Sequence, residues 1–552
     1  MEESSNSGVW RPSVSWVCAV FVVSITFLFY LHFVLAFGVN VPFWDDWQLL
    51  DQARQVYLGQ MHWWMLLVNK HNEHLIGTDF LLSAWQLSLT DFNYRLQLVT
   101  GVLIQGLAFA VMASLVWRTI PQNRRPLWLS VAALIWFSWC QYKNLLWAFQ
   151  TAWFLVTILL AITLFSLGRA SRTDATKDEE GTWFTVALVA ALLATFTSSQ
   201  GSIVWFAAAV YLAGERSYNI REVLKTSLFR KWLVSSVVAC FLASYVWFKL
   251  GGGVAGGGGK FTLRTCIYIF FAAHGDFWGN LGVHNLAVMG VVMLSFVCLA
   301  LLKVAFSKER SVYAVPVSLI AFGTCFVVLM ALGRAKFGMG SAWDSHYMAY
   351  PILNYFGVLT ILIRQNDGMP KFYRSRWVPF VYMALVVFAL FSSSYDALLN
   401  GISWRSEQGM GAATLLNYKD EPDFVLGRVL FGDPGFVRRN AQFLEAYHLG
   451  AFADPEAIPE SVKRYAHMAK SLEDMMAHHP AQQDAIRRAW QVYQMGGDLR
   501  QAFNPLSDDF AHNLIAWCAG ASVDTASPHY LSEYLRPYAA SYAAIMSDKG
   551  TH

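Results

Sequence analysis

The chain alternates long stretches that carry no formal charge with short polar segments. A helix needs about 20 apolar residues to cross a hydrocarbon core about 30 Å thick. Val14–Gly38 meets that length without a single Asp, Glu, Lys or Arg, and so do Leu96–Trp117 and Asn144–Gly168. Pro126–Tyr142, Trp232–Phe248, Val283–Leu302, Ser311–Gly333, Ser345–Ile363 and Trp377–Tyr395 are likewise uncharged. The longest such run, Gly181–Gly214, reads as two short spans meeting at Thr197-Ser198-Ser199-Gln200-Gly201. The pattern predicts an all-α polytopic membrane protein with about eleven transmembrane helices. Val14–Gly38 is too long, and lacks the small-residue cleavage site, to be a removed signal peptide.

Beyond residue 395 the pattern changes. Apolar positions become interrupted by charges at helical spacing, as in Pro459–His479 and Ala481–Met495. The expected organisation is a transmembrane catalytic part over 1–395 and a helical extracytoplasmic domain over 396–552. Cys518 is the one cysteine of that domain, so it holds no internal disulfide. Gly251–Gly259 (GGGVAGGGG) reads as a flexible loop.

Lys and Arg in the short loops set the direction. With the N-terminus in the cytoplasm, the inner segments hold 19 of these residues and the outer ones 9. An odd number of spans then carries the C-terminal domain outside.

Composition agrees with the pattern. The chain is 56% hydrophobic and 14% charged, with a mean hydropathy of +0.37, whereas a soluble domain carries about 25% charged residues. Both a soluble enzyme and a disordered chain are excluded. A net charge of +4 without a basic stripe argues against a nucleic-acid partner. Seven scattered cysteines show no CxxC pair and no zinc spacing. P-loop, dinucleotide-binding and nucleophile-elbow motifs are absent. The inner face has no domain large enough for a nucleotide sugar. A group-transfer substrate must arrive from the lipid phase or the outer compartment.

The polar chemistry gathers in the outer loops. Phe43-Trp44-Asp45-Asp46-Trp47 opens the first of them, and Asp45–Tyr57 reads as a short amphipathic helix. One Asp can cap that helix; the paired acids between tryptophans also suit a general base or a metal ligand. The same loop carries Lys70-His71-Asn72-Glu73-His74. His71 and His74 share a helical face at i and i+3, which admits zinc only with a third ligand. Loop anchoring, or a substrate role with Lys70, fits as well. His274 and Asp276 lie in the fourth outer loop, and Arg334, Lys336 and His346 bracket the fifth. These cations suit phosphate oxygens; snorkelling at span ends is the alternative. Lys143 is read as a snorkelling residue.

Paired acids after an aromatic in the first outer loop, many spans and a helical C-terminal outer domain together resemble the GT-C superfamily of integral-membrane glycosyltransferases. Protein mannosyltransferases and aminoarabinose transferases are among its members. His71-Asn72-Glu73-His74, Asn144–Gln150 and Gly333-Arg334 through Ser345-His346-Tyr347 resemble a bacterial branch of it, in which an Arg is expected where this chain has His346. The resemblance implies a bacterial inner-membrane enzyme. It would move a sugar from a polyprenyl-phosphate carrier to an extracytoplasmic glycan or lipid, by a single inverting displacement. Asp45 or Asp46 would be the base. Lys70, His71, Glu73, His74, Gln150, Arg334, Lys336 and His346 would contact substrate. Some relatives hold a divalent cation (Mg or Mn) in this loop; Asp45 or Asp46 would then be its ligand. A flippase or transporter of lipid-linked saccharides, or a glycan polymerase or ligase, is the alternative reading. A transporter asks for charged or discontinuous helices near the midplane, and these span interiors are nearly charge-free.

Overall fold

The computed structural model describes residues 13–453, apart from 69, 72–73, 173, 250–260, 280–282, 340–343, 365–376 and 422. The glycine loop 251–259 and the expected domain beyond 453, with Pro459–His479, Ala481–Met495 and Cys518, lie outside the described residues. Eight helical stretches are long and apolar enough to cross a membrane: Val14–Phe37, Tyr94–Thr119, Ala148–Ala170, Ser227–Lys249, His284–Phe306, Arg310–Phe337, Ser345–Ile363 and Trp377–Leu416. The chain is a multi-pass helical membrane protein.

The three remaining expected spans fall on helices α5 (Arg125–Trp136), α8 (Lys177–Thr195) and α9 (Ile203–Glu215). The first has 12 residues and the third 13, about 18–20 Å at 1.5 Å per residue, well short of the hydrocarbon core. The second is long enough, but its first turn holds Asp178, Glu179 and Glu180. A capping box between Thr176 and Glu179 starts it, and the acids suit the positive end of its dipole. The break between α8 and α9 falls at the Thr197–Gly201 segment, where Ser199–Ser202 forms a 3-10 turn.

The chain divides into two compact units. The first comprises Met1–Ala36, Leu58–Trp85 and Gln97–Leu398. At its centre lie α14 (Ala314–Arg334) and α15 (Ile352–Ile363), and every residue of α15 is buried. A side chain at Gly323 would come within 2.6 Å of Asn354 Oδ1, so glycine lets these two helices close on each other. Helices α12 (Leu263–Gly275) and α13 (Val283–Phe306) touch backbone to backbone. A Cβ at Gly290 would lie 1.7 Å from Phe271 O. Helix α7 (Thr151–Ala170) packs on α8.

The last carbonyls of α15 lack helical partners and are met by cations. Lys303 Nζ donates to the carbonyls of Ile361 (3.0 Å), Leu362 (3.1 Å) and Arg364, and Arg124 donates to Ile363 O (2.9 Å). Basic residues that the sequence assigns to inner linkers thus close the end of the buried helix.

The second unit comprises Phe37–Tyr57, Gln86–Leu96 and the chain from Leu399. It contains α2 (Asp46–Tyr57), which buries Trp47, Leu49, Leu50 and Ala53. Arg54 Nε donates to Asn440 Oδ1 (3.1 Å) on the helix Pro434–Ala446. Tyr57, Phe92, Phe443 and Tyr447 pack edge to face in the same unit. The 40-residue helix Trp377–Leu416 runs without a break through position 395, where the sequence placed the end of the transmembrane part.

Candidate functional site

Within the first unit, the polar site forms where helices end. Helix α5 stops at Trp136, and Ser138 accepts from Cys140 N (3.2 Å) to open a 3-10 turn over Trp139–Gln141. A short helix α6 (Tyr142–Leu146) and a second 3-10 turn (Ala148–Gln150) then lead into α7. Broken backbone of this kind is tolerated at membrane depth only when buried in protein or lining a polar cavity. Gln141, Asn144 and Gln150 are accordingly buried.

This broken segment is stitched to the turn before α15. Asp344 starts the 3-10 turn Ser345–Ala349 by accepting from His346 N. Its Oδ1 lies 3.0 Å from Lys143 Nζ and 2.7 Å from His346 Nδ1. Lys143 N donates to Ser345 Oγ (3.3 Å), and Asn144 Nδ2 donates to His346 O (2.9 Å). Because a carbonyl only accepts, that last bond fixes the Asn144 amide with its Oδ1 on the other side. Neither Asn144 Oδ1 nor Gln150 Oε1 finds a donor among the described residues.

Aromatic rings extend the cluster in both directions. Trp147 and Trp153 lie 6.4 and 5.8 Å from the His346 ring. Arg334 sits 5.7 Å over Tyr347 and 5.5 Å over Phe337, and Lys336 4.8 Å over Phe337. On the other flank Trp147 meets Phe149 (6.1 Å), and Phe149 meets His71 (5.0 Å). His71 pairs across a two-residue ladder with His74, whose Nδ1 is 2.7 Å from Ser199 Oγ. His71, Arg334, Lys336 and His346 thus belong to one connected region, with Gln150 next to Phe149 in the chain.

Two carboxyl groups here are driven apart. Burial would raise Asp344, but His346 and Lys143 hold it well below the usual carboxylate range. Burial pushes Asp276 well above that range, reinforced by Asp344 and Asp396. Both effects favour its neutral form, and its Oδ2 is buried without a partner among the described residues. Burial lowers His274 to about 4, against the opposing pull of the Phe270 carbonyl, so it is neutral.

The sequence expectations fare unevenly. His71 and His74 are cross-strand neighbours and not residues on one helical face. Lys70 is placed by its backbone, in the strand Lys70–His71, and Glu73 lies outside the described residues. No group of three or more His, Cys, Asp or Glu side chains able to hold a metal occurs among the described residues. Lys143 and Asp344 were missed as partners. The only signal for Lys143 was an isolated cation between two apolar runs.

Asp45 and Asp46 belong to the second unit. Asp46 is 1% exposed, and its Oδ2 accepts from Phe43 N (3.0 Å) while its own N–H donates to Phe43 O (2.9 Å). That reciprocal turn ties Asp46 back to Phe43, as the third residue of a capping box reaches back to the residue before the helix. It offers no completed donor set for a divalent cation. Asp45 is half-buried. Trp44, just before it, holds φ +46° and is 61% exposed. A bulky residue in the left-handed region costs about 1–2 kcal/mol, a strain that persists at functional sites.

No family model matches the chain, and no curated protein matches it. Among solved structures it is similar to ArnT from Cupriavidus metallidurans in the apo state. The identity is 12%, with 81% of this chain and 89% of that chain covered and a TM-score of 0.46. It is also similar to the same protein bound to undecaprenyl phosphate, at 14% identity, 84% and 80% coverage and a TM-score of 0.40.

Proposed function

We propose that the chain is a membrane glycosyltransferase of the GT-C type. It transfers a sugar from a polyprenyl-phosphate carrier to an extracytoplasmic glycan or lipid acceptor. The observation that carries this reading is the collection of Arg334, Lys336 and His346 at the ends of membrane-spanning helices, with Lys143 on the short helix before another, faced with aromatic rings. A phosphate on an isoprenoid tail needs cations at the level where apolar helices end, and guanidinium and ammonium groups suit its oxygens.

In this reading the lipid phosphate is the leaving group, and the cations stabilise the charge that develops on it. An acceptor hydroxyl attacks the anomeric carbon. The new carbon–oxygen bond forms as the bond to phosphate breaks, with inversion, and a carboxylate takes the hydroxyl proton. We assign that base to Asp45, which is half-buried and open to an acceptor, where Asp46 is 1% exposed. Deleting the gene and extracting polyprenyl-linked sugars and surface glycan tests the proposal. Loss of one sugar decoration with accumulation of its lipid-linked donor is expected; unchanged glycan and lipid pools overturn it.

A further inference from the structure

The second unit carries an aromatic surface that the reaction as described leaves unused. Trp44 is held exposed by a left-handed backbone. An indole that merely rests at a membrane interface needs no particular φ, since an ordinary one would anchor it equally well. The Phe43 ring lies 6.0 Å from that of Trp44 and 4.7 Å, edge-on, from that of Trp404. Trp404 is buried, and its indole N–H has no acceptor among the described residues. A buried donor in this state is open to an acceptor that is not part of the protein, a water or a ligand oxygen. Asp45 and Asp46 follow Trp44 directly in the chain.

We propose that Phe43, Trp44 and Trp404, with Asp45, form a binding subsite for a pyranose ring of the acceptor. This rests on the glycosyltransferase reading and deepens it by naming the acceptor as carbohydrate. The three features answer the three parts of a sugar. The exposed indole takes the C–H face, the Trp404 N–H meets a hydroxyl oxygen, and the carboxylate receives a hydroxyl proton. Few polar groups on an aromatic wall is the usual composition of a small-ligand site. A phosphate would be repelled by the adjacent carboxylates. A bare cation would leave the indole N–H unanswered.

Saturation-transfer difference NMR on the full chain in nanodiscs tests the subsite. Methyl β-D-glucopyranoside, methyl β-D-galactopyranoside and methyl α-D-mannopyranoside serve as probes, with tetramethylammonium as the competing cation. At least one glycoside should receive saturation at its ring C–H protons. Trp44→Gly should cut that signal at least threefold, and Trp44→Phe should keep most of it. Glycine tolerates a positive φ, so Trp44→Gly should hold or raise the melting temperature. Trp44→Asn, which also tolerates this region, should repeat the loss. Trp63→Ala, which removes an exposed indole of the first unit, should leave the signal in place. No glycoside bound by the wild type, equal binding by wild type and Trp44→Gly, or Trp44-dependent binding of tetramethylammonium alone each overturns the subsite. Binding of undecaprenyl phosphate to the same samples, lost in Arg334→Ala and kept in Trp44→Gly, reports on the donor reading separately.

Discussion

Asp45 and Asp46 are neighbours in the chain with different employment. Asp46 accepts from the Phe43 N–H just before α2, so Asp46→Ala should cost about 0.5–1.5 kcal/mol of stability, the usual contribution of one hydrogen bond. Asp45→Asn should instead lower transfer by roughly 10²–10⁴-fold, the usual contribution of a general base, with normal accumulation in the membrane. A melting curve measures the first and transfer of radiolabelled sugar from a lipid donor the second; wild-type rates for Asp45→Asn would move the base elsewhere. Asp276 makes a pH prediction. Its raised pKa means the folded state keeps a proton that the unfolded chain releases above about pH 4. Stability should therefore fall as pH rises from about 4 until Asp276 itself ionises. Asp276→Asn removes this dependence and should raise the melting temperature at pH 8. Equal melting curves for both proteins at pH 5 and pH 8 would show that Asp276 is not held protonated. The acid pair was visible in the sequence as chemistry, but its division of labour was not, because both residues favour helix starts equally. The φ of Trp44 was invisible too: a left-handed position is announced by Gly or Asn, and tryptophan gives no such sign.

Hydropathy located the helices better than it located their ends. A run such as Pro126–Tyr142 contains no charge, so averaging over a span's length reads through Ser138, where the backbone leaves the α-helix. The same averaging hides Gln141, Asn144 and Gln150, uncharged polar residues that are buried beside the site. Lys143 reads as a snorkelling cation in the sequence because its partner, Asp344, lies some 200 residues away. The end of α14 was more legible, since Arg334 and Lys336 are cations placed against apolar sequence. If Arg334 holds the donor phosphate, Arg334→Ala should lower kcat/KM for the lipid donor by roughly 10–100-fold, because a charged hydrogen bond contributes about 1.5–3 kcal/mol. Arg334→Lys should recover part of that loss, as the two-pronged geometry goes while the charge stays. A donor titration across the three proteins is the measurement. Identical donor kinetics for Arg334→Ala would take the residue out of the site.

At the scale of the molecule, the sequence suggests one boundary, near residue 395, and the second unit joins the chain from Leu399 to two earlier stretches. The change in composition there is real, but compactness follows contacts and not composition. The second unit draws on Phe37–Tyr57, Gln86–Leu96 and the chain from Leu399. No local pattern can reveal that three separated stretches join, because each alone reads as loop or helix.

That assembly has a consequence in time. Synthesis proceeds at about 5–20 residues per second, so roughly 300 residues and about 15–60 s separate the emergence of Leu96 from that of Leu399. Throughout that interval Trp47, Leu50 and Tyr57 have been made without Phe443 and its neighbours to cover them. Ribosome-bound chains halted near residue 380 should therefore be cut by trypsin at Arg54. Chains extended past residue 453 should resist, once Arg54 has Asn440 to bind. Cleavage at Arg54 that does not change with chain length would mean that the early segments find their shelter without the late ones.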